Sequence, residues 1–190
     1  MSKAVVYTGA DPTLDEEEEV EVGEWAGDEE VAHVTVNEGL TMIKDRAFEG
    51  CKGLKNLRFL KDSGVTTVGD SAFERSGILT LQGIERVTKI GVAAFYECKD
   101  LRTIEVLGCE EMGDACFYMC TLLQSMKGWP ASMTVIPYCT FVGCTGMTTV
   151  GCDLSHVTSI GPRAFEGCTS LLPPSLSARD ADPAAVLTFL

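Results

Sequence analysis

Arg46-Ala47-Phe48-Glu49-Gly50-Cys51 returns almost letter for letter, 117 residues later, as Arg163-Ala164-Phe165-Glu166-Gly167-Cys168. Four worn copies lie between: Ser71-Ala72-Phe73, Ala93-Ala94-Phe95, Ala115-Cys116-Phe117 and Cys139-Thr140-Phe141. From phenylalanine to phenylalanine the steps are 25, 22, 22, 24 and 24 residues. A unit that short cannot bury a core alone. Its copies must stack and cover one another, as the coils of a solenoid do.

The residues around each phenylalanine fill in one coil. An L-x-x-L-x-L spacing follows it, as Leu54/Leu57/Phe59, Leu101/Ile104/Val106 and Met147/Val150/Cys152, and Val31/Val34/Val36 precedes the first copy. Leu123/Met126/Gly128 fits less well, and Ile78/Leu81/Gly83 belongs to a copy one residue shorter. The alternation in the second half of each segment predicts a half-buried strand. Five residues before each phenylalanine stands an apolar residue, Ile43, Val68, Ile90, Met112, Ile136 or Ile160. Glycine follows it at Gly69, Gly91, Gly113 and Gly161, which predicts a tight turn. The residues up to the phenylalanine then read as one or two helical turns, with Pro162 at a first-turn position.

Three residues after the phenylalanine comes Cys51, Cys98, Cys120, Cys144 or Cys168, with Ser76 in the remaining copy. Cysteine locked to one repeat position reads as a small buried apolar residue before it reads as a thiol or metal cluster. Stacked side chains point in parallel, which works against disulfides between coils.

Residues 31–172 thus form the solenoid, flanked by an acidic N-terminal cap or loop segment, 1–30, and a C-terminal cap, 173–190. Val5-Val6-Tyr7 is β-prone, residues 11–19 form an acidic run, and Trp25 is placed to cover the first coil. Pro173-Pro174 ends the pattern, and Asp182-Pro183 opens a capping helix.

The net charge of −13 is uneven. Residues 11–30 hold eleven acids and no base, while residues 31–190 carry 17 acids against 14 bases. Such a chain is a poor match for nucleic acid or for an anionic membrane. No apolar run reaches the roughly 18 residues of a membrane-spanning helix, and the N-terminus has no signal-peptide core. An intracellular, cytoplasmic location is expected.

Catalytic and metal chemistry find little to work with. Asp153, Ser155 and His156 are the residue types of a hydrolase triad, but four consecutive turn positions do not place a base between nucleophile and acid. Gly146–Gly151 has the glycine spacing of a P-loop without its lysine. Cys116/Cys120 and Cys139/Cys144 do not match common zinc spacings. No enzyme activity, catalytic residue, metal or cofactor is expected.

The combined pattern, I-G-x-x-A-F-x-x-C-x-x-L-x-x-I-x-[IV], is cleanest at Ile90-Gly91, Ala94-Phe95, Cys98, Leu101, Ile104 and Val106. It resembles the BspA-like leucine-rich repeats, the Treponema pallidum type. The resemblance implies an α/β, right-handed leucine-rich repeat solenoid of about six coils, with a parallel sheet on one face and short helical turns on the other. It also implies a role in binding other proteins, on bacterial surfaces for some members.

The outward strand positions then form the expected partner-binding face: Asn56, Arg58, Thr80, Gln82, Thr103, Glu105, Ser125 and Lys127. They fall into two columns, one of hydroxyls and amides (with His33 and Thr149) and one of mixed charge (with Thr35). Leu60, Ile84 and Leu107 are expected to pack into the following turn, and Trp129 to stand exposed as an anchor. An intracellular protein-interaction module is the first reading. A surface adhesion or matrix-binding protein is the second, and a thiol redox or metal protein the third. Open sheet edges make self-association a further expectation.

Overall fold

The computed structural model describes residues 3–7, 26–36, 40–59, 63–127, 129–150 and 154–171. The acidic run, Trp25, Leu60, Cys152, Asp153 and the C-terminal segment 173–190 lie outside the described residues.

The chain winds as a solenoid carrying two kinds of strand. The longer ones are β1 (Lys3–Tyr7), β2 (Val31–Val36), β4 (Asn56–Phe59), β6 (Thr80–Gln82), β8 (Thr103–Glu105) and β10 (Ser125–Lys127). The shorter ones, of two residues, are β3 (Met42–Ile43), β5 (Thr67–Val68), β7 (Lys89–Ile90), β9 (Glu111–Met112), β11 (Val135–Ile136) and β12 (Ser159–Ile160). All pairings are parallel. The long strands pair in the order β1-β2-β4-β6 and, separately, β8-β10; the short ones pair as β3-β5-β7-β9 and β11-β12. The β-prone Val5-Val6-Tyr7 is therefore a real strand, laid along β2.

Two sheets, rather than one sheet backed by helices, correct the expected α/β architecture. Among the described residues the only helical piece is a 3-10 turn, Ile84–Arg86. The reason lies in where the main-chain hydrogen bonds of the phenylalanine segment go. Arg46, Phe48 and Gly50 donate their N–H groups to Asp70, Ala72 and Glu74 of the next coil, at 2.9, 2.7 and 2.7 Å. The residues between them, Ala47 and Glu49, turn back onto carbonyls three residues earlier. A helix would need every N–H for itself. The residue two before each phenylalanine, Arg46, Ser71, Ala93, Ala115, Cys139 or Arg163, has φ between 53 and 62°. That left-handed backbone is incompatible with a continuing right-handed helix. Pro162 accordingly starts no helix.

The glycines of the short-strand turn also differ from expectation. Gly69, Gly91, Gly113 and Gly161 do not have positive φ. A Cβ on Gly69 would fall 2.6 Å from the main-chain nitrogen of Asp45, and one on Gly161 2.6 Å from that of Tyr138. Close approach of successive coils, not turn freedom, requires them.

Between the sheets runs the core. Phe48, Phe73, Phe95, Phe117, Phe141 and Phe165 stack with centroid separations of 5.2, 5.2, 5.5, 5.7 and 5.3 Å. Six copies therefore bound about five full turns. The inward strand residues Leu57, Ile104 and Met126, with Leu101 and Leu123 just ahead of their strands, close over this column and are buried.

Candidate interaction surfaces

The outward columns of the long sheet stand in the register that the repeat spacing predicts. His33 pairs with Asn56 and Asn56 with Thr80; Thr35 pairs with Arg58 and Arg58 with Gln82. In the second piece, Ser125 pairs with Thr103 and Lys127 with Glu105. The first column is tied internally. Asn56 Nδ2 lies 3.2 Å from His33 Nδ1, and Thr80 Oγ1 donates to Asn56 Oδ1 at 3.1 Å. In the second column Arg58, Gln82 and Lys127 are exposed, and Glu105 half-buried.

Two features of this face differ from expectation. The sheet is not continuous, since β6 and β8 do not pair; only a long 3.4 Å bond from Arg102 N–H to Leu79 C=O spans them there. The break falls beside the shortened copy and Gly83, whose φ is 80° and whose missing side chain would press on the Phe59 carbonyl. Trp129, secondly, is no exposed anchor. It is 4% exposed, meets Phe141 edge-on at 6.3 Å, and donates its indole N–H to the Met133 carbonyl at 2.9 Å. The indole fills core with its one polar atom satisfied. Ile84 packs inside as expected, whereas Leu107 is 59% exposed.

Several charges on the opposite side of the coil are mutually engaged. Arg75 contacts Glu74 at 3.0 Å and Glu97 at 3.6 Å, Lys99 also reaches Glu97, and Arg163 pairs with Glu166. Arg58, Glu105 and Lys127 have no ion pair among the described residues.

The cysteine column is buried and no described cysteine is in a disulfide. Its thiols do more than fill space, which the sequence reading missed. Cys98, Cys120, Cys144 and Cys168 donate to the carbonyls of Phe73, Phe95, Phe117 and Phe141 at 2.9–3.1 Å. Burial pushes the Cys98 and Cys168 thiols up to about 12, and those of Cys51 and Cys109 up to about 11. A thiol held neutral and buried is a poor nucleophile and metal ligand. Among the described residues no three His, Cys, Asp or Glu side chains converge on a metal-sized site. His156 Nε2 lies 2.9 Å from the Pro130 carbonyl, a structural engagement. No described helix is long and apolar enough to cross a membrane.

Stacked parallel coils with this column of Ala-Phe-x-x-Cys decide the kinship. The sequence pattern of the BspA-type leucine-rich repeat region matches residues 24–148 and 110–178, in six copies. The chain belongs to the BspA-type leucine-rich repeat family. Its fold is similar to the crystal structure of a leucine-rich repeat protein from T. pallidum, with a TM-score of 0.74 and 23% identity over 90% of this chain and 79% of that one. A leucine-rich cell surface protein from Faecalibacterium prausnitzii is similar at a TM-score of 0.65 and 28% identity. That match covers 75% of this chain but 38% of the other. A comparison with curated proteins finds no match.

Proposed function

We propose that this BspA-type repeat chain is a non-enzymatic interaction module that binds a partner protein through its long-strand face. The observation that carries the reading is the contrast in charge engagement. Arg58, in register with Thr35 and Gln82, and Glu105 and Lys127, in register with each other, have no ion pairs among the described residues, while Arg75, Lys99 and Arg163 across the coil are paired. Charges left open on a preformed surface steer and select a partner without first breaking internal pairs. Buried thiols outside any disulfide suit a reducing, intracellular compartment.

Affinity capture from native lysate, comparing wild type with Arg58→Glu/Glu105→Lys/Lys127→Glu, tests the face. A partner retained by the wild type and lost by the folded triple variant supports it; equal capture by both removes it. Differently tagged copies in the same experiment reveal whether a second copy of the chain is the partner. The leucine-rich cell surface protein among the similar structures favours a second reading, surface adhesion. Cell fractionation separates the two: recovery in the envelope fraction supports adhesion, and recovery in the soluble fraction supports the intracellular module.

A further inference from the structure

The short sheet follows a strict rule with one interruption. Seven residues before the phenylalanines stand Thr41, Thr66, Thr88, Thr134 and Thr158, with Glu110 in the remaining copy. At this position Thr66, Thr88, Glu110 and Thr158 donate their N–H to the preceding coil's carbonyl at 2.9, 2.8, 2.6 and 2.7 Å. Three residues further on, Gly69, Gly91, Gly113 and Gly161 do the same at 2.7–2.8 Å. The copy between breaks the rule at both points. Thr134 makes no such bond to Glu110, and in the glycine position stands Pro137, which has no N–H to give the Met112 carbonyl. Consequently β9 and β11 do not pair.

A groove of about 620 Å³ opens at this interruption, lined in part by Asp70, Lys89, Val92, Glu110, Met112 and Val135. Its surroundings combine three properties. The carbonyls of Glu110 and Met112, two residues apart on one strand edge, receive no N–H from the following coil. Val92 and Val135 are about half exposed (48% and 47%), as is nearby Tyr138 (44%). The charge is acidic, because the one lining cation, Lys89, is held by Glu111 at 2.7 Å while Asp70 and Glu110 have no ion pair among the described residues.

We propose that this groove docks an extended, cationic segment of a partner polypeptide. Acceptors at alternate residues along a strand edge are what an extended chain's N–H groups meet. Lysine or arginine answers Asp70 and Glu110, and aliphatic side chains cover Val92 and Val135. The segment lies across the opening and does not insert. Phe117 and Phe141 below it are 5.7 Å apart, whereas an intercalated strand needs about twice the 4.8 Å strand spacing. The site is separate from the long-strand face and does not depend on the reading given for that face.

The test is fluorescence anisotropy of a labelled heptapeptide alternating lysine and valine, titrated with the full chain. Saturable binding is expected, weakened at least tenfold in Glu110→Thr/Pro137→Gly, which restores the repeat's own residues and closes the ladder. The thermal midpoint of that variant should match or exceed wild type. Val135→Ser, at an exposed position, should weaken binding as well and serves where the double variant melts early. A lysine–serine peptide should bind at least tenfold more weakly. The Arg58→Glu/Glu105→Lys/Lys127→Glu variant should bind as wild type, which separates this site from the long-strand face. Absence of saturable binding overturns the proposal, as does equal binding by folded groove variants or equal binding of the serine peptide. In the last case the eleven acids within residues 11–30, present in every variant, account for the attraction.

Discussion

Cys98 donates its thiol hydrogen to the main-chain carbonyl of Phe73, 2.9 Å away in the preceding coil. The same bond joins each later column cysteine to the phenylalanine before it, so the column stitches coils together at carbonyls that also accept the main-chain N–H three residues on. Cys98→Ala should therefore cost about 0.5–1.5 kcal/mol, the net worth of one hydrogen bond, because the Ser76 N–H still satisfies the Phe73 carbonyl. Cys98→Ser should cost less, because a hydroxyl is the natural occupant of the same position at Ser76. Urea unfolding of the two variants decides it. An alanine variant as stable as wild type would reduce the thiols to space-filling.

Those thiols also fix an alkaline limit. Burial raises Cys98 from the ordinary 9.0 to about 12, so the folded state holds its proton more tightly than the unfolded state does. Stability from this source is complete below about pH 9 and is lost as pH climbs toward 12. Thermal midpoints measured from pH 8 to 11 should fall above 9, and thiol labelling should be slow until the chain unfolds. Rapid labelling of the buried thiols at pH 8 in the folded protein would contradict this.

Phe95 lies stacked between Phe73 and Phe117, its ring nearly parallel to both, and is fully buried. Phe95→Ala should cost about 3–5 kcal/mol, as deep aromatic truncations do, because neighbouring coils pinned by their ladders cannot collapse into the void. An unchanged thermal midpoint would sink the stacking.

Much of this was legible in the sequence. Strict spacing placed the phenylalanine and cysteine columns, and period-two alternation separated inward Leu57 from outward Arg58. Absence of helix was not legible. Ile43, Ala47, Phe48 and Cys51 have helical spacing, yet the segment's hydrogen bonds go to residues 24 positions away, a non-local preference that no local pattern carries. Trp129 misled for a related reason: its burial depends on Phe141 and Met133, beyond its own strand. The groove had a signal that went unused. Pro137 follows Ile136 where the repeat has glycine, and proline in a ladder position removes a bond wherever it falls.

Gly69 offers a direct check on coil spacing. Its missing side chain would lie 2.6 Å from Asp45 N, and backbone cannot move aside as a side-chain tip can. Gly69→Ala should destabilise by about 1–3 kcal/mol, the range for overpacking, although alanine ordinarily loses less chain entropy than glycine on folding. A stabilised variant would mean that the coils stand further apart there.

Trp129 decides between anchor and core. With its indole N–H on the Met133 carbonyl and its ring against Phe141, Trp129→Ala should cost about 3–5 kcal/mol in urea unfolding. In a Trp25→Phe background the remaining tryptophan should emit at short wavelength and resist acrylamide quenching until the chain unfolds. An exposed anchor would instead give red-shifted, readily quenched emission, with little stability lost on truncation. A wild-type-like unfolding midpoint together with free quenching would return Trp129 to the surface and reopen it as a contact for partners.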